Sequence, residues 1–244
     1  WEDYLKQTHN DIVWTILRDA QASKANIVRS FRDITKQITP ADRVFIQYAG
    51  HGARETAPAA FKHLTTDGKL EIIMPVDSMN EQGYLTANTL ADKELRYLIW
   101  QMAQKNPEQL ALVFDCCHSS GGTRNLQFVK SRFHAAGNNA QPRAIADYVF
   151  MSDAQLLNSI KQNKRVNIPS GNHIFLAASR NSQTAKEFPI NGVQRGIFSV
   201  SLLEALQNTN GQITYRDLLI RASAKVTNAV ADQNPQLELV NPND

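Results

Sequence analysis

Cysteine is scarce in this sequence: its 244 residues include only Cys116 and Cys117, which are neighbours. Adjacent cysteines are poorly placed to bridge each other, so the sequence predicts no disulfide framework and favours a reducing, cytoplasmic location. Long apolar runs are absent too, since none approaches the roughly 18 residues that a membrane-spanning helix requires. The opening residues 1–10 are polar and mixed in charge, and we expect no signal peptide.

The sequence also lacks a strong excess of charge of one sign. It holds 26 lysines and arginines against 23 aspartates and glutamates, which gives a net charge of +3. This value is too small to predict nucleic-acid binding, and no arginine-rich helix or interleaving of aromatic and basic residues is present. We therefore expect neither a nucleic acid nor a membrane as a partner.

Short apolar runs are plentiful and alternate with helical patterns. The runs predict buried strands, and their nearly continuous hydrophobicity is typical of a sheet covered on both faces. They occupy residues 12–17, 43–50, 70–76, 110–114 and 173–179. Strands that alternate with helices predict an α/β layered domain with a mainly parallel sheet.

Apolar residues at helical spacing predict the helices. The stripes are Ile27, Phe31, Ile34 and Ile38; Ala91, Leu95, Leu98 and Met102; Phe198, Leu202 and Ala205; and Leu219, Ala222, Val226 and Ala229. Capping patterns at Thr89–Asp92 and Thr214–Asp217 precede two of them. The segment from about 121 to 171 has little periodicity, and a structureless stretch of that length in a compact domain is usually functional or disordered.

Two predicted strands end in turns that carry reactive side chains. His51 stands between two glycines after the run at 43–50, while Cys116, Cys117 and His118 follow the run at 110–114. The carboxyl ends of parallel strands meet at one edge of a sheet, where a thiol and an imidazole can act as nucleophile and general base. Spacing alone does not decide which cysteine is the nucleophile, and a metal site is disfavoured because adjacent ligands fit tetrahedral geometry poorly.

These two turns resemble a known family. The stretch VFIQYAGHG (44–52) followed by LVFDCCHSSGG (112–122) is similar to the caspase-like cysteine peptidases of the metacaspase and bacterial orthocaspase branch. That branch carries a Tyr-x-Gly-His-Gly turn and an Asp-x-Cys-His-Ser turn. Further segments match in the same order, and the likeness runs from about Ile12 to Leu239.

The resemblance implies a three-layer αβα sandwich with a mainly parallel central sheet. It also implies one peptidase domain over 1–244. Residues up to about 120 resemble the large subunit, about 121–171 form an irregular segment open to processing, and about 172–244 resemble the small subunit. The branch begins with a strand that the given chain lacks, and we expect the sequence to be incomplete there.

Site residues follow from the resemblance position by position. Cys117 becomes the nucleophile and His51 the general base and acid, with the N–H groups of Gly52 and Cys117 as the oxyanion hole. Asp115 becomes the floor of an acidic S1 pocket, which implies cleavage after arginine or lysine because a carboxylate pairs bidentately with a guanidinium. Glu187 is a weaker candidate for a second acid in that pocket. Taken alone, Asp115 could simply cap a turn, and His51 could be an ordinary turn histidine.

The remaining expectations concern processing, cofactors and partners. Arg143, Lys164 and Arg165 are candidate self-cleavage sites, although such basic residues can equally form a solvated loop.

We expect no cofactor and no calcium requirement, because Leu70 and Lys93 stand where the branch commonly has acids and calcium takes about six to eight oxygen ligands. The expected partners are protein or peptide substrates with a basic P1 residue, and we expect a monomer. The alternative function is a catalytically weak or inactive scaffold that acts as an interaction module.

Overall fold

The computed structural model describes residues 1–116, 130–131, 141–162, 164–180, 183–190 and 192–240, with the backbone alone at 130–131. Cys117 and the first part of the irregular segment lie outside the described residues. The strands are β1 (Arg43–Ala49), β2 (Gly52–Thr56), β3 (Lys69–Ile73), β4 (Leu90–Ala91), β5 (Gln109–Asp115), β6 (Lys130–Ser131), β7 (His173–Ala177), β8 (Lys186–Ile190), β9 (Val193–Gly196) and β10 (Gln236–Val240). The helices are α1 (Glu2–Thr8), α2 (Lys24–Gln37), α3 (Asp92–Ala103), α4 (Ala154–Lys161), α5 (Ile197–Asn208) and α6 (Tyr215–Ala229).

The central sheet contains four described strands in the order β1-β5-β7-β10. The pairs β1–β5 and β5–β7 are parallel, and β10 runs antiparallel to β7. Two smaller antiparallel sheets, β2-β3-β4 and β6-β8-β9, accompany it. The mainly parallel central sheet expected from the sequence is confirmed.

Helices cover both faces of this sheet. Leu112 and Phe114 of β5 lie in a hydrophobic cluster with residues of α2 and α3, whereas Val113 lies in a second cluster with residues of α5 and α6. Neighbouring strand residues point to opposite faces, so one strand serves both clusters. Burying side chains of this kind contributes about 1.5–3 kcal/mol each. The result is the expected three-layer αβα sandwich.

Residues 12–17 are not the strand that their composition predicts. The segment lies outside all helices and strands, and Val13 is 88% exposed. An isolated strand is unstable unless its N–H and C=O groups pair with a neighbour. No described strand pairs with this segment, and β1 pairs only with β5 among the described residues. The apolar run at 70–76 does form β3, but in the small antiparallel sheet with β2 and β4.

The described part of the irregular segment is folded. Short 3-10 helices at Ile145–Asp147 and Val149–Ser152 lead into α4. Tyr148 and Phe150 are buried and pack edge-on against Phe61. The low periodicity of this segment therefore reflects short helices with aromatic anchors and not an exposed loop.

Candidate active site

His51 lies in the tight connection between β1 and β2, on the surface of the molecule. Its backbone carbonyl accepts a hydrogen bond from the Met74 N–H at 3.1 Å and another from the Tyr48 hydroxyl at 2.8 Å. The backbone of this exposed residue is thus held from two sides.

The pairing register of β1 and β5 determines which residues stand opposite each other just before the predicted catalytic positions, 51 and 117. Ala49, the last residue of β1, is directly opposite Asp115, the last residue of β5. His51 follows Ala49 by two residues, and Cys117 follows Asp115 by two residues in the sequence. Both positions therefore come directly after the carboxyl ends of neighbouring parallel strands, where α/β sheets commonly bind ligands.

Cys116 and Gly52 flank these positions. Cys116 is 3% exposed and packs in the hydrophobic cluster of α2, α3 and β5. Buried cysteines in apolar surroundings are generally inert. Gly52 is buried and forms the first pair of the β2–β3 ladder, opposite Ile73.

Asp115 is fully buried and touches the start of α5. Its Oδ2 accepts a hydrogen bond from the Ser199 N–H at 3.0 Å. Gly196, at the N-cap of α5, lies so close to the carboxylate that an added Cβ would overlap it. A carboxylate at a helix N-terminus satisfies an unpaired N–H and interacts favourably with the helix dipole, worth about 0.3–1 kcal/mol. Asp115 thus caps, from β5, a helix whose bonded residue lies 84 positions further along the chain.

Glu187 reaches the same region through the small sheet β6-β8-β9. It is directly opposite Gly196 in the β8–β9 ladder, and Gly196 in turn contacts Asp115. Opposite residues of an antiparallel pair have Cα atoms about 4.5–5.5 Å apart. The fold therefore brings both predicted S1 acids to the start of α5.

Arg143 occupies a buried polar cluster and not an exposed loop. Its guanidinium binds the carboxylates of Glu55 at 2.9 Å and Glu94 at 2.6 Å, and it stacks 3.8 Å from the ring centre of Tyr148. The side chain is 4% exposed. Burial opposes the charge, but the two carboxylates outweigh it and raise the pKa of Arg143 above its ordinary value. Because a protease needs an extended, accessible segment, Arg143 is a poor self-cleavage site in this fold.

Lys24 extends this cluster. Its ammonium group lies 3.2 Å from the Glu94 carboxylate and donates to the Asp147 carbonyl at 2.9 Å. Burial lowers the pKa of Lys24, and the charge of Glu94 partly offsets that effect. The cluster joins α2, α3 and β2 to the chain around Arg143. No sequence pattern indicated it, since its members are far apart along the chain.

Lys164 and Arg165, the other two candidate cleavage residues, are exposed. Their neighbour Val166 is 1% exposed, and its carbonyl lies 2.7 Å from Nε2 of His63. Access of a protease to this site would require the chain after Arg165 to detach from the core.

Carboxylates near Leu70 and Lys93, the positions that the resemblance compares for calcium, are paired with cationic side chains. Asp92 is bound by the Lys93 ammonium at 2.7 Å, and Asp67 is bound by Arg54 at 2.8 Å. Burial and the nearby charge of Asp92 raise the pKa of Glu71 to about 7, so this carboxyl is only partly ionised near neutral pH. Within the described ranges, His, Cys, Asp and Glu form no group of three that could hold a metal ion. In the same ranges, no helix combines the length and the apolarity needed to cross a bilayer.

Comparison with known proteins adds the family context. The family model described as a caspase domain matches residues 3–244. Metacaspase-1A of Aspergillus oryzae is 24% identical over 91% of this chain and 55% of its own length. Metacaspase-1 of Coccidioides immitis is 26% identical over 99% of this chain and 56% of its own length. The chain thus spans about half the length of the curated relatives it matches.

A solved structure shows the same fold. The crystal structure of a Geobacter sulfurreducens protein matches 94% of this chain and 78% of that protein's chain, with a TM-score of 0.60. The sequence identity is 20%, so this likeness concerns the fold alone.

Proposed function

This chain belongs to the caspase domain family, and we propose that it is a cysteine endopeptidase that cleaves peptide bonds after arginine or lysine. The observation that carries the proposal is the pairing of Ala49 with Asp115. In the sequence, His51 and Cys117 each follow one member of this pair by two residues, so we expect both at one edge of the central sheet. A peptide bound across that edge would meet both side chains.

The proposed reaction is covalent acyl transfer. The thiolate of Cys117 attacks the peptide carbonyl carbon, and the C–N bond breaks as His51 delivers a proton to the leaving amine. His51 then takes a proton from water as the water attacks the thioester, and the C–S bond breaks to release the carboxylic acid and restore the Cys117 thiolate beside protonated His51. The N–H groups of Gly52 and Cys117 stabilise the oxyanion of each tetrahedral intermediate.

We propose that Asp115 gives the enzyme its preference for a basic P1 residue, and that Glu187 is a second acid in the S1 pocket. A buried carboxylate favours a guanidinium or ammonium group and rejects an acidic P1 side chain by repulsion. The hydrogen bond that Asp115 Oδ2 accepts from the Ser199 N–H places this carboxylate at the start of α5, beside Gly196. The position of Glu187 opposite Gly196 supports its inclusion.

We further propose that the enzyme requires no calcium and processes itself. The Lys93 ammonium at Asp92 supplies the positive charge that a cation would otherwise provide there. Among the basic residues named above, the exposed Lys164 and Arg165 are the proposed cleavage sites.

The test is hydrolysis of fluorogenic peptides that end in arginine, lysine or aspartate, with and without EGTA. We expect release of the fluorophore after arginine and lysine only, unchanged by EGTA. Cys117→Ala should abolish it, whereas the matched variant Cys116→Ala should retain it. Activity that survives in Cys117→Ala but is lost in Cys116→Ala would show that the nucleophile is assigned wrongly.

A further inference from the structure

The hydroxyl of Tyr48 lies against the turn that carries His51. The hydroxyl donates to the His51 carbonyl at 2.8 Å, with the Met74 carbonyl at 3.4 Å as a second acceptor. The Met74 N–H in turn lies 3.3 Å from the Tyr48 hydroxyl oxygen and 3.1 Å from the His51 carbonyl. These three residues form one hydrogen-bonded unit that joins the end of β1 to the end of β3.

The central sheet fixes the ring of Tyr48. Tyr48 is directly opposite Phe114 of β5, and the two ring centres are 5.7 Å apart. Phe114 packs in turn against Phe175 of β7, with ring centres 5.2 Å apart. The hydroxyl is therefore a rigid extension of the strands, including the strand that leads to Cys117 in the sequence.

Gly50 allows the turn to lie on this ring. A Cβ at position 50 would stand 2.5 Å from the Tyr48 hydroxyl oxygen and 2.8 Å from the ring carbon that bears it. Real Cβ atoms do not approach that closely, so any larger residue would push the turn away from the hydroxyl. The glycine before His51 is needed here for close approach.

We propose that Tyr48 is a positioning residue that sets the backbone of His51 and thereby aims its imidazole at the end of β5. This inference rests on the proposed function, in which His51 transfers protons. His51 is exposed and follows a glycine, and the two hydrogen bonds to its carbonyl hold its backbone. Catalytic rates fall steeply when a reacting group is displaced by about 1 Å, and the hydroxyl is placed to prevent that displacement.

The kinetic test uses Tyr48→Phe, which keeps the ring on Phe114 and removes only the hydroxyl. Loss of one hydrogen bond that acts on the chemical step should lower kcat by about three- to tenfold while KM for an arginyl peptide stays within about twofold. The matched control is Tyr84→Phe, at an exposed tyrosine outside the site, which should leave both constants unchanged. A raised KM with unchanged kcat, or no change in either constant, would overturn the proposal.

A second readout does not depend on turnover. The ring resonances of ¹³C,¹⁵N-labelled histidine, assigned to His51 by a His51→Gln variant, should shift or broaden in Tyr48→Phe and remain as in the wild type in Tyr84→Phe. Amide exchange at Met74 should also accelerate in Tyr48→Phe. Unchanged His51 resonances would refute the positioning role even if the wild type hydrolysed no peptide, whereas shifted resonances in an inactive protein would refute the proposed function alone.

Gly50→Ala gives an independent check from the other side of the contact. Its Cβ should displace the turn and lower kcat as Tyr48→Phe does. If both changes act through the same contact, the double variant should lose less activity than the product of the two single losses. Fully multiplicative losses would contradict a shared origin and with it the proposal.

Discussion

Asp115 combines a structural contact with a proposed role in substrate binding. Its carboxylate caps α5 through Ser199 and is also the proposed floor of the S1 pocket. The two roles use different properties of the group: capping needs only an acceptor oxygen, whereas binding of arginine needs the negative charge. A substitution that keeps the oxygen and removes the charge separates them.

Asp115→Asn is that substitution. The amide oxygen can still accept from the Ser199 N–H, so the free energy of unfolding should fall by no more than about 1 kcal/mol. KM for an arginyl peptide should rise at least about tenfold, because a charge-assisted bidentate pair is lost. Asp115→Ala should lower stability as well. Unchanged KM in Asp115→Asn would remove Asp115 from the pocket and leave it as a helix cap only.

Glu71 makes the stability of the protein depend on pH. Its folded-state pKa of about 7 lies above the ordinary value of 4.5, so the folded protein holds a proton that the unfolded chain releases between these two values. Stability from this group is therefore present below about pH 4.5 and declines as the pH rises through 7. Glu71→Gln should be more stable than the wild type at pH 8 and gain little at pH 5, as measured by urea unfolding. A gain of equal size at both values would contradict the raised pKa.

At the scale of elements, the Arg143 cluster fastens the chain around 143–149 to the sandwich. Glu94 receives hydrogen bonds from the N–H groups of Ala91 and Val149 in addition to the guanidinium of Arg143. The Glu55 carboxylate accepts hydrogen bonds from the hydroxyls of Tyr148 and Thr89. Every carboxylate oxygen of the cluster is thus engaged. Removal of the guanidinium would take the ion pair from the buried Glu55 and leave the buried Glu94 with Lys24.

Arg143→Ala should therefore destabilise the protein by about 3–5 kcal/mol, the usual cost of breaking a buried ion pair. Arg143→Lys should be intermediate, because an ammonium does not reproduce the planar, multiply donating guanidinium. The matched control Arg165→Ala, at an exposed arginine, should change the free energy of unfolding by less than about 0.5 kcal/mol. Urea unfolding measures all three, and near-equal losses in Arg143→Ala and Arg165→Ala would contradict a structural role for the cluster.

Periodicity predicted the elements whose packing is local and missed those that depend on distant partners. The stripe Leu95, Leu98 and Met102 is buried in α3 as expected. The capping group of α3 is Glu94, not the predicted pair at Thr89–Asp92, because the Thr89 hydroxyl donates to Glu55 instead. In α6 Leu218 is buried, whereas the predicted Leu219 is only partly buried against the same cluster.

Long-range pairs explain the larger errors. Residues 12–17 have the composition of a strand, but strand formation depends on an adjacent edge that composition cannot supply. Arg143 reads as a loop residue because its carboxylate partners lie 49 and 88 positions away. The glycines on either side of His51 mark it in the sequence. Its hydrogen bond from the Tyr48 hydroxyl depends on how the turn folds back over the ring, and the spacing of residues in the sequence does not reveal that contact.

At the scale of the whole molecule, the sandwich joins the part of the chain up to β5 and the part from β7 onward through a shared core. Val113 of β5 packs with residues of α5 and α6, and Asp115 caps α5. The separation of the chain by cleavage between these parts would leave both contacts intact. Processed fragments should therefore stay associated.

Incubation of the wild type should yield fragments that end at Lys164 or Arg165 and not at Arg143, as determined by intact mass spectrometry. Cys117→Ala should remain a single chain under the same conditions. The fragments should migrate together in size-exclusion chromatography, because the shared core is unbroken. Cleavage after Arg143 in the folded protein, or separation of the fragments without denaturant, would contradict the structure.

The proposed activity requires a nucleophilic thiol at Cys117, proton transfer by His51, and a substrate with a basic P1 side chain. Labelling with an arginyl chloromethyl ketone tests this most directly, since the attacking thiolate forms an S–C bond and expels chloride. Peptide mapping should place one adduct on Cys117, with labelling strongly slowed in His51→Ala and absent with an aspartyl analogue. An adduct on Cys116, or no adduct on either cysteine, would contradict the central claim.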